Sequence, residues 1–103
     1  MQVTGAIFDC DGTLVDSMRV WHNVFGAVLP KYGKTVDSEF FERVEAVSLM
    51  DGCKICVDYL DLPVTAETLY EEFCAYVTEQ YQNHVSIISG AKEFLQELYD
   101  AGI

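Results

Sequence analysis

The stretch Ile7-Phe8-Asp9-Cys10-Asp11-Gly12-Thr13-Leu14-Val15-Asp16-Ser17 decides how the rest of the chain is read. Together with the residues before it, Val3 to Phe8 forms a short apolar run with the β-branched and aromatic side chains of a strand. Gly5, Ala6, Ile7 and Phe8 follow one another without a polar residue, so neither face of that strand is wet. A strand buried on both faces belongs inside a parallel sheet covered by helices. The expectation is an α/β protein whose acids Asp9 and Asp11 stand at the carboxyl end of a core strand, where open α/β sheets bind ligands.

In an extended chain residues two apart point the same way, which turns Asp9 and Asp11 toward one ligand. Two carboxylates so close raise each other's pKa unless a cation or hydrogen bonds offset the repulsion. Mg²⁺ suits the pair, since it takes one or two carboxylates and completes its shell with water and phosphate oxygens. One carboxylate can then attack phosphorus, and the other can carry the proton to or from the leaving oxygen. Gly12 allows a turn that other residues resist, and the Thr13 hydroxyl can donate to a phosphate oxygen. Asp11-Gly12 is also a two-residue hairpin signal, compatible with such a loop. A calcium EF-hand fails here, because Leu14 and Val20 occupy the places that need Gly and Glu.

Asp9-x-Asp11-Gly12-Thr13-Leu14-x-Asp16-Ser17 after an apolar strand resembles the first motif of the haloacid dehalogenase superfamily of phosphatases and phosphomutases. The resemblance implies Asp9 as nucleophile, Asp11 as general acid/base, both in the Mg²⁺ shell, and Gly12 and Thr13 as the phosphate loop. It also implies an α/β core with an inserted helical cap. Residues 1–15 would be the first strand and catalytic loop, 16–83 the cap, and 84–103 the return to the core. Asp16 and the segment around Tyr81–Val85 would be the hinges.

The chain has 103 residues, half of them hydrophobic, so a modest core is within reach and disorder is not expected. A net charge of −11 excludes nucleic acid and anionic membrane surfaces as partners. No apolar run has the length of a membrane-spanning helix, and no basic region followed by an apolar stretch opens the chain as a secretory signal does. Cys53-x-x-Cys56 falls within a helical pattern and lacks a second ligand pair, so Cys10, Cys53, Cys56 and Cys74 read as small buried thiols of a cytoplasmic protein. A metal or redox role for Cys53 and Cys56 stands as the other reading.

Asp16 or Ser17 caps a first helix with the stripe Met18, Trp21, Val24, Phe25 and Val28; Pro30 and Gly33 end it. Asp37 caps a second, with Phe40, Phe41, Val44 and Val47 facing inward. Ser48 and Asp51 open a third that runs to about Leu60. Thr65 caps a fourth carrying Leu69, Phe73, Tyr76, Val77 and Tyr81. Four such helices form a small bundle. Val85, Ile87 and Ile88 are strand-like, and Ser89-Gly90-Ala91-Lys92 opens a last helix that Gly102 stops. The family usually has Pro where Ser89 stands, though Ser is itself a good cap.

The family's later motifs bring a Ser or Thr for phosphate, a Lys and further acids, and none of them can be placed here. The expectation is therefore the N-terminal part of a longer protein starting at Met1, feeble in catalysis because Asp9 and Asp11 lack their supporting shell. The substrate would be a small phosphorylated metabolite. Val47-Ser48-Leu49-Met50 lacks the basic residue that mutases of this branch carry, which favours a phosphatase over a phosphosugar mutase. A non-catalytic helical interaction module with a relic motif is the alternative. In that case the exposed strand and apolar face would promote self-association.

Overall fold

Three of the helices begin where a side chain takes an otherwise unpaired backbone N–H. Asp37 accepts from the Phe40 amide at 2.8 Å, Ser48 from Asp51 at 3.2 Å and Thr65 from Thr68 at 3.1 Å. These are the caps expected from the sequence. The computed structural model describes residues 1–103 and places α1 at Met18–Val28, α2 at Ser38–Glu45, α3 at Leu49–Leu60, α4 at Ala66–Asn83 and α5 at Ala91–Asp100. Pro30 lies in a 3₁₀ turn, Leu29–Tyr32, that continues α1. Gly33 closes the turn at φ 69°, a conformation that costs any residue with a Cβ.

Helices α1 to α4 form one body, with α4 against both α1 and α3, and α2 against α3. Its centre is Leu69 and Phe73 of α4, both fully buried. The Phe25 ring of α1 stands edge-on to Phe73 with centroids 5.1 Å apart, the arrangement that aromatic quadrupoles favour. Cys53 and Cys56 of α3 are buried in the same core. Burial pushes their thiols up to about 11 and about 12, so both are protonated apolar fillers. No helix is long and apolar enough to cross a membrane.

The two ends of this body meet. Val15 pairs antiparallel with Ile87. The Asp16 N–H donates to the Ser86 carbonyl at 2.8 Å, and the Ile88 N–H to the Leu14 carbonyl at 2.9 Å. The short apolar run at residues 85–88 is thus used for this pairing. Helix α5 follows, with left-handed Gly90 rather than Ser89 at its N-cap.

The expected strand Val3–Phe8 does not form. Residues 1–9 take part in no backbone hydrogen bond, and Val3 and Ile7 are exposed. A strand is made by its neighbours, and the rest of this chain folds into helices that offer no edge to pair with. Phe8 touches Phe94 of α5 edge-on at 6.1 Å, and that helix packs on none of the others. Phe94, Leu95 and Tyr99 are consequently exposed, and the radius of gyration is 17.6 Å, against about 13 Å for a compact domain of this size. Within the body, Val20 is buried where Met18 was expected, and Val47 is 40% exposed rather than inward.

Truncating Phe73 to Ala should lower stability by about 3–5 kcal/mol, whereas Val3→Ser should change it by less than about 0.5 kcal/mol. Urea titration of the helical circular dichroism measures both. An equal effect of the two would contradict the placement of the core.

Candidate functional site

The motif folds as a tight loop at the foot of the helical body. The Cys10 carbonyl accepts from the amides of Thr13, Leu14 and Val15 at 3.1, 2.8 and 3.2 Å, and the Gly12 N–H donates to the Val15 carbonyl at 2.9 Å. Gly12 sits at φ 75°. A Cβ there would lie 3.0 Å from the Met18 Cγ. Conformation and space both demand glycine at this position.

Asp11 is turned toward the helices. Its Oδ1 accepts from the hydroxyl of fully buried Ser17 at 2.6 Å. The same oxygen accepts from the Tyr81 hydroxyl of α4. Tyr81 in turn accepts from the Trp21 indole N–H of α1 at 2.9 Å. A chain of donors, Trp21 to Tyr81 to Asp11, therefore crosses from α1 through α4 to the loop. The Ser17 hydrogen bond, then that of Tyr81, holds the Asp11 carboxyl below the usual carboxylate range, against a smaller opposing effect of burial. Burial and donation to Asp11 push the Tyr81 phenol up. Close by, the Arg19 guanidinium donates to the His84 carbonyl, a second tie between the start of α1 and the end of α4.

Asp9 is exposed and forms no side-chain hydrogen bond or ion pair. Thr13 and Gly12 are exposed beside it. The carboxylates were expected to converge by strand alternation, and that argument lapses where the chain turns at Cys10. The structure settles Asp11 against the helices and leaves Asp9 in solvent. No cluster of three or more His, Cys, Asp or Glu side chains is gathered around either.

Reading the sequence left Ser17 as a cap, Trp21 as core and Tyr81 as stripe and hinge, and missed all three as partners of Asp11. The available signal was chemical. Trp21 and Tyr81 are the residues of their stripes with a polar end, and such ends find partners when half-buried. Ser17 is the N-cap of α1 but caps no amide, because its hydroxyl is spent on Asp11.

The tight Asp-x-Asp-Gly-Thr loop lies at the foot of the helical body, and the chain matches the family model of haloacid dehalogenase-like hydrolases over residues 6–103. It belongs to that family, an α/β family of which these residues display a mostly helical part. It is similar to a probable pseudouridine-5'-phosphatase of Drosophila melanogaster, at 29% identity over 98 residues. The match covers 95% of this chain and 42% of that protein, so the chain spans about two fifths of the length of the curated relative it matches.

Because the folded-state pKa of Asp11 is depressed, its hydrogen bonds stabilise the fold above the ordinary carboxylate range and are lost as pH falls through the lowered value. Tyr81→Phe removes one of the two donors. The acid transition of Asp11 should then move up in pH. Carbon-13 NMR of the Asp11 carboxyl reads that midpoint directly in both proteins. An unchanged acid midpoint in that variant would show that Tyr81 does not govern Asp11.

Proposed function

We propose that this chain carries the reactive acids and the substrate-selecting helices of a Mg²⁺-dependent phosphatase acting on a small phosphorylated metabolite. The observation that carries the reading is the Asp11 carboxylate, held by Ser17 and Tyr81 at the seam between motif loop and helical body. The family match supports hydrolase chemistry, and the fly relative's name supports a phosphate ester as substrate. In this reading residues 1–15 present the acids, 16–83 form a cap and 84–103 return to the core. The paired segments 14–16 and 86–88 support that division, since they bring both ends of the helical insert to one point. Four free thiols suit a reducing cytoplasm.

Asp9 is the nucleophile. Its exposed carboxylate is unencumbered, so an oxygen can attack phosphorus while the ester P–O bond breaks and the leaving alkoxide takes a proton from Asp11. Water then attacks the phosphoryl group on Asp9, giving its proton to Asp11 and freeing phosphate and the Asp9 carboxylate. As an acceptor of two hydrogen bonds, Asp11 is set for the second half of this cycle. Both donors bond its Oδ1, so Oδ2 is the oxygen that takes up and passes on the proton. Gly12 and Thr13, both exposed, would form the loop that receives the phosphate.

The donors fit a hard cation in kind: the Asp9 carboxylate is free, and the Asp11 carbonyl accepts no backbone hydrogen bond. Those two groups would hold Mg²⁺, and when bound it would offset charge on the transferring phosphoryl group. With few supporting groups in these residues, catalysis by the chain alone is slow.

Incubation with an aryl phosphate and Mg²⁺, followed by acid quench and mass spectrometry, should find a phosphoryl group on Asp9. Asp9→Asn should abolish both this adduct and the slow hydrolysis. Hydrolysis that survives in the variant would overturn the assignment. A second property is favoured by the exposed Ile7, Phe94 and Tyr99, namely self-association through this apolar face. Sedimentation should show oligomers that dissociate on dilution, and a monomer at every concentration would exclude them.

A further inference from the structure

Between α1, α2 and α3 lies a pocket of about 270 Å³ whose walls are predominantly hydrophobic. Three of its rings form an aromatic corner. Phe25 and Phe41 meet edge-on at 5.9 Å, and His22 leans on Phe41 at 5.8 Å. Trp21 and Met18 complete the side nearest the motif loop. Met18 also covers Gly12, since its Cγ lies 3.0 Å from where a Cβ would stand. One side chain thus belongs to both the pocket wall and the roof of the loop. The pocket therefore adjoins the motif loop at Gly12.

The polar inventory of this pocket is short. No hydroxyl or amide side chain lines it. The Trp21 N–H is already given to Tyr81. Glu45 is its single carboxylate, and a phosphate beside it would be repelled. A polyhydroxylated sugar placed here would find only the His22 and Glu45 side chains as partners and would bury its other hydroxyl groups against Phe25, Phe41 and Val44, which binding sites avoid. A flat ring, by contrast, finds faces and edges of matching kind.

We infer that the pocket bounded by Trp21, Phe25, Phe41 and Val47 takes a planar aromatic or heteroaromatic ring of the substrate, with the phosphate directed past Met18 toward Asp9. The position of the phosphate rests on the phosphatase reading; the ring preference rests on the pocket lining alone. A ring-bearing phosphate monoester is therefore the substrate class, in preference to a phosphorylated open-chain or hexose sugar.

The test uses the whole 103-residue chain and three probes: phenyl phosphate, phenol and ribose 5-phosphate. Calorimetry gives affinities, and Trp21 emission reports whether the ring arrives beside it. Phenyl phosphate should bind at least about tenfold more tightly than ribose 5-phosphate. Phenol should shift Trp21 emission saturably with no phosphate present. Val47 is 40% exposed, so Val47→Phe narrows the mouth with little demand on the core and should remove most of the preference for the ring. Equal affinity for the two phosphates, or no saturable effect of phenol on Trp21, would overturn the inference, and neither result depends on the variant's folding. Absence of a phosphoryl adduct on Asp9 together with intact ring binding would instead sink the phosphatase reading and leave the pocket standing.

Discussion

Two backbone hydrogen bonds between residues 14–16 and 86–88 set the arrangement of everything else. Between those points the chain makes four helices, and a body inserted in this way is positioned by how its two ends are joined. Because Val15 and Ile87 pair, the start of α1 and the end of α4 are neighbours. Ser17 and Tyr81 are thereby brought to the same carboxylate from opposite ends of the insert. Arg19 reinforces the junction by reaching the carbonyl that follows α4. The motif supplies Asp11, but the joint supplies its surroundings.

That geometry explains how a chain of net charge −11 settles a carboxylate at this junction. No Lys or Arg neutralises Asp11. Neutral donors do so instead, from a hydroxyl, a phenol and, one step removed, an indole N–H. Such donors favour the ionised form without adding positive charge. They also tie its proton affinity to the placement of α1 and α4, so that any movement of the helices against the loop is felt at this carboxylate. A salt bridge would be less sensitive, because charge attraction fades more slowly with distance and angle than a hydrogen bond does.

Local chemistry was legible in the sequence, and pairing was not. The caps at Asp37, Ser48 and Thr65 each depend on a side chain and an amide three residues on, and each formed as read. Pro30 and Gly33 likewise act on their own backbone. The motif loop needed Gly12, and the reason lies in one dihedral and one neighbour. Val3–Phe8 was a different matter, since its strand character was sound but a strand needs a partner elsewhere in the chain. Tyr81 was hidden for the same reason: its partner is 70 positions away. Burial followed the stripe for Val24, Phe25 and Val28, then failed at Met18, which covers the loop instead of the core.

Residues 1–9 make no backbone hydrogen bond to the helical body, which closes through the packing of α4 on α1 and α3. From Met1 to Phe8 the side chains are all uncharged, and an unpaired run of that kind is what adheres to other chains during synthesis. Asp9 and Asp11 stand directly at its end. Carboxylates flanking an apolar segment act as gatekeepers, because stacking copies of the segment would stack their charges. The two acids thus keep an unpaired apolar run from stacking on its copies, a service independent of any chemistry they perform.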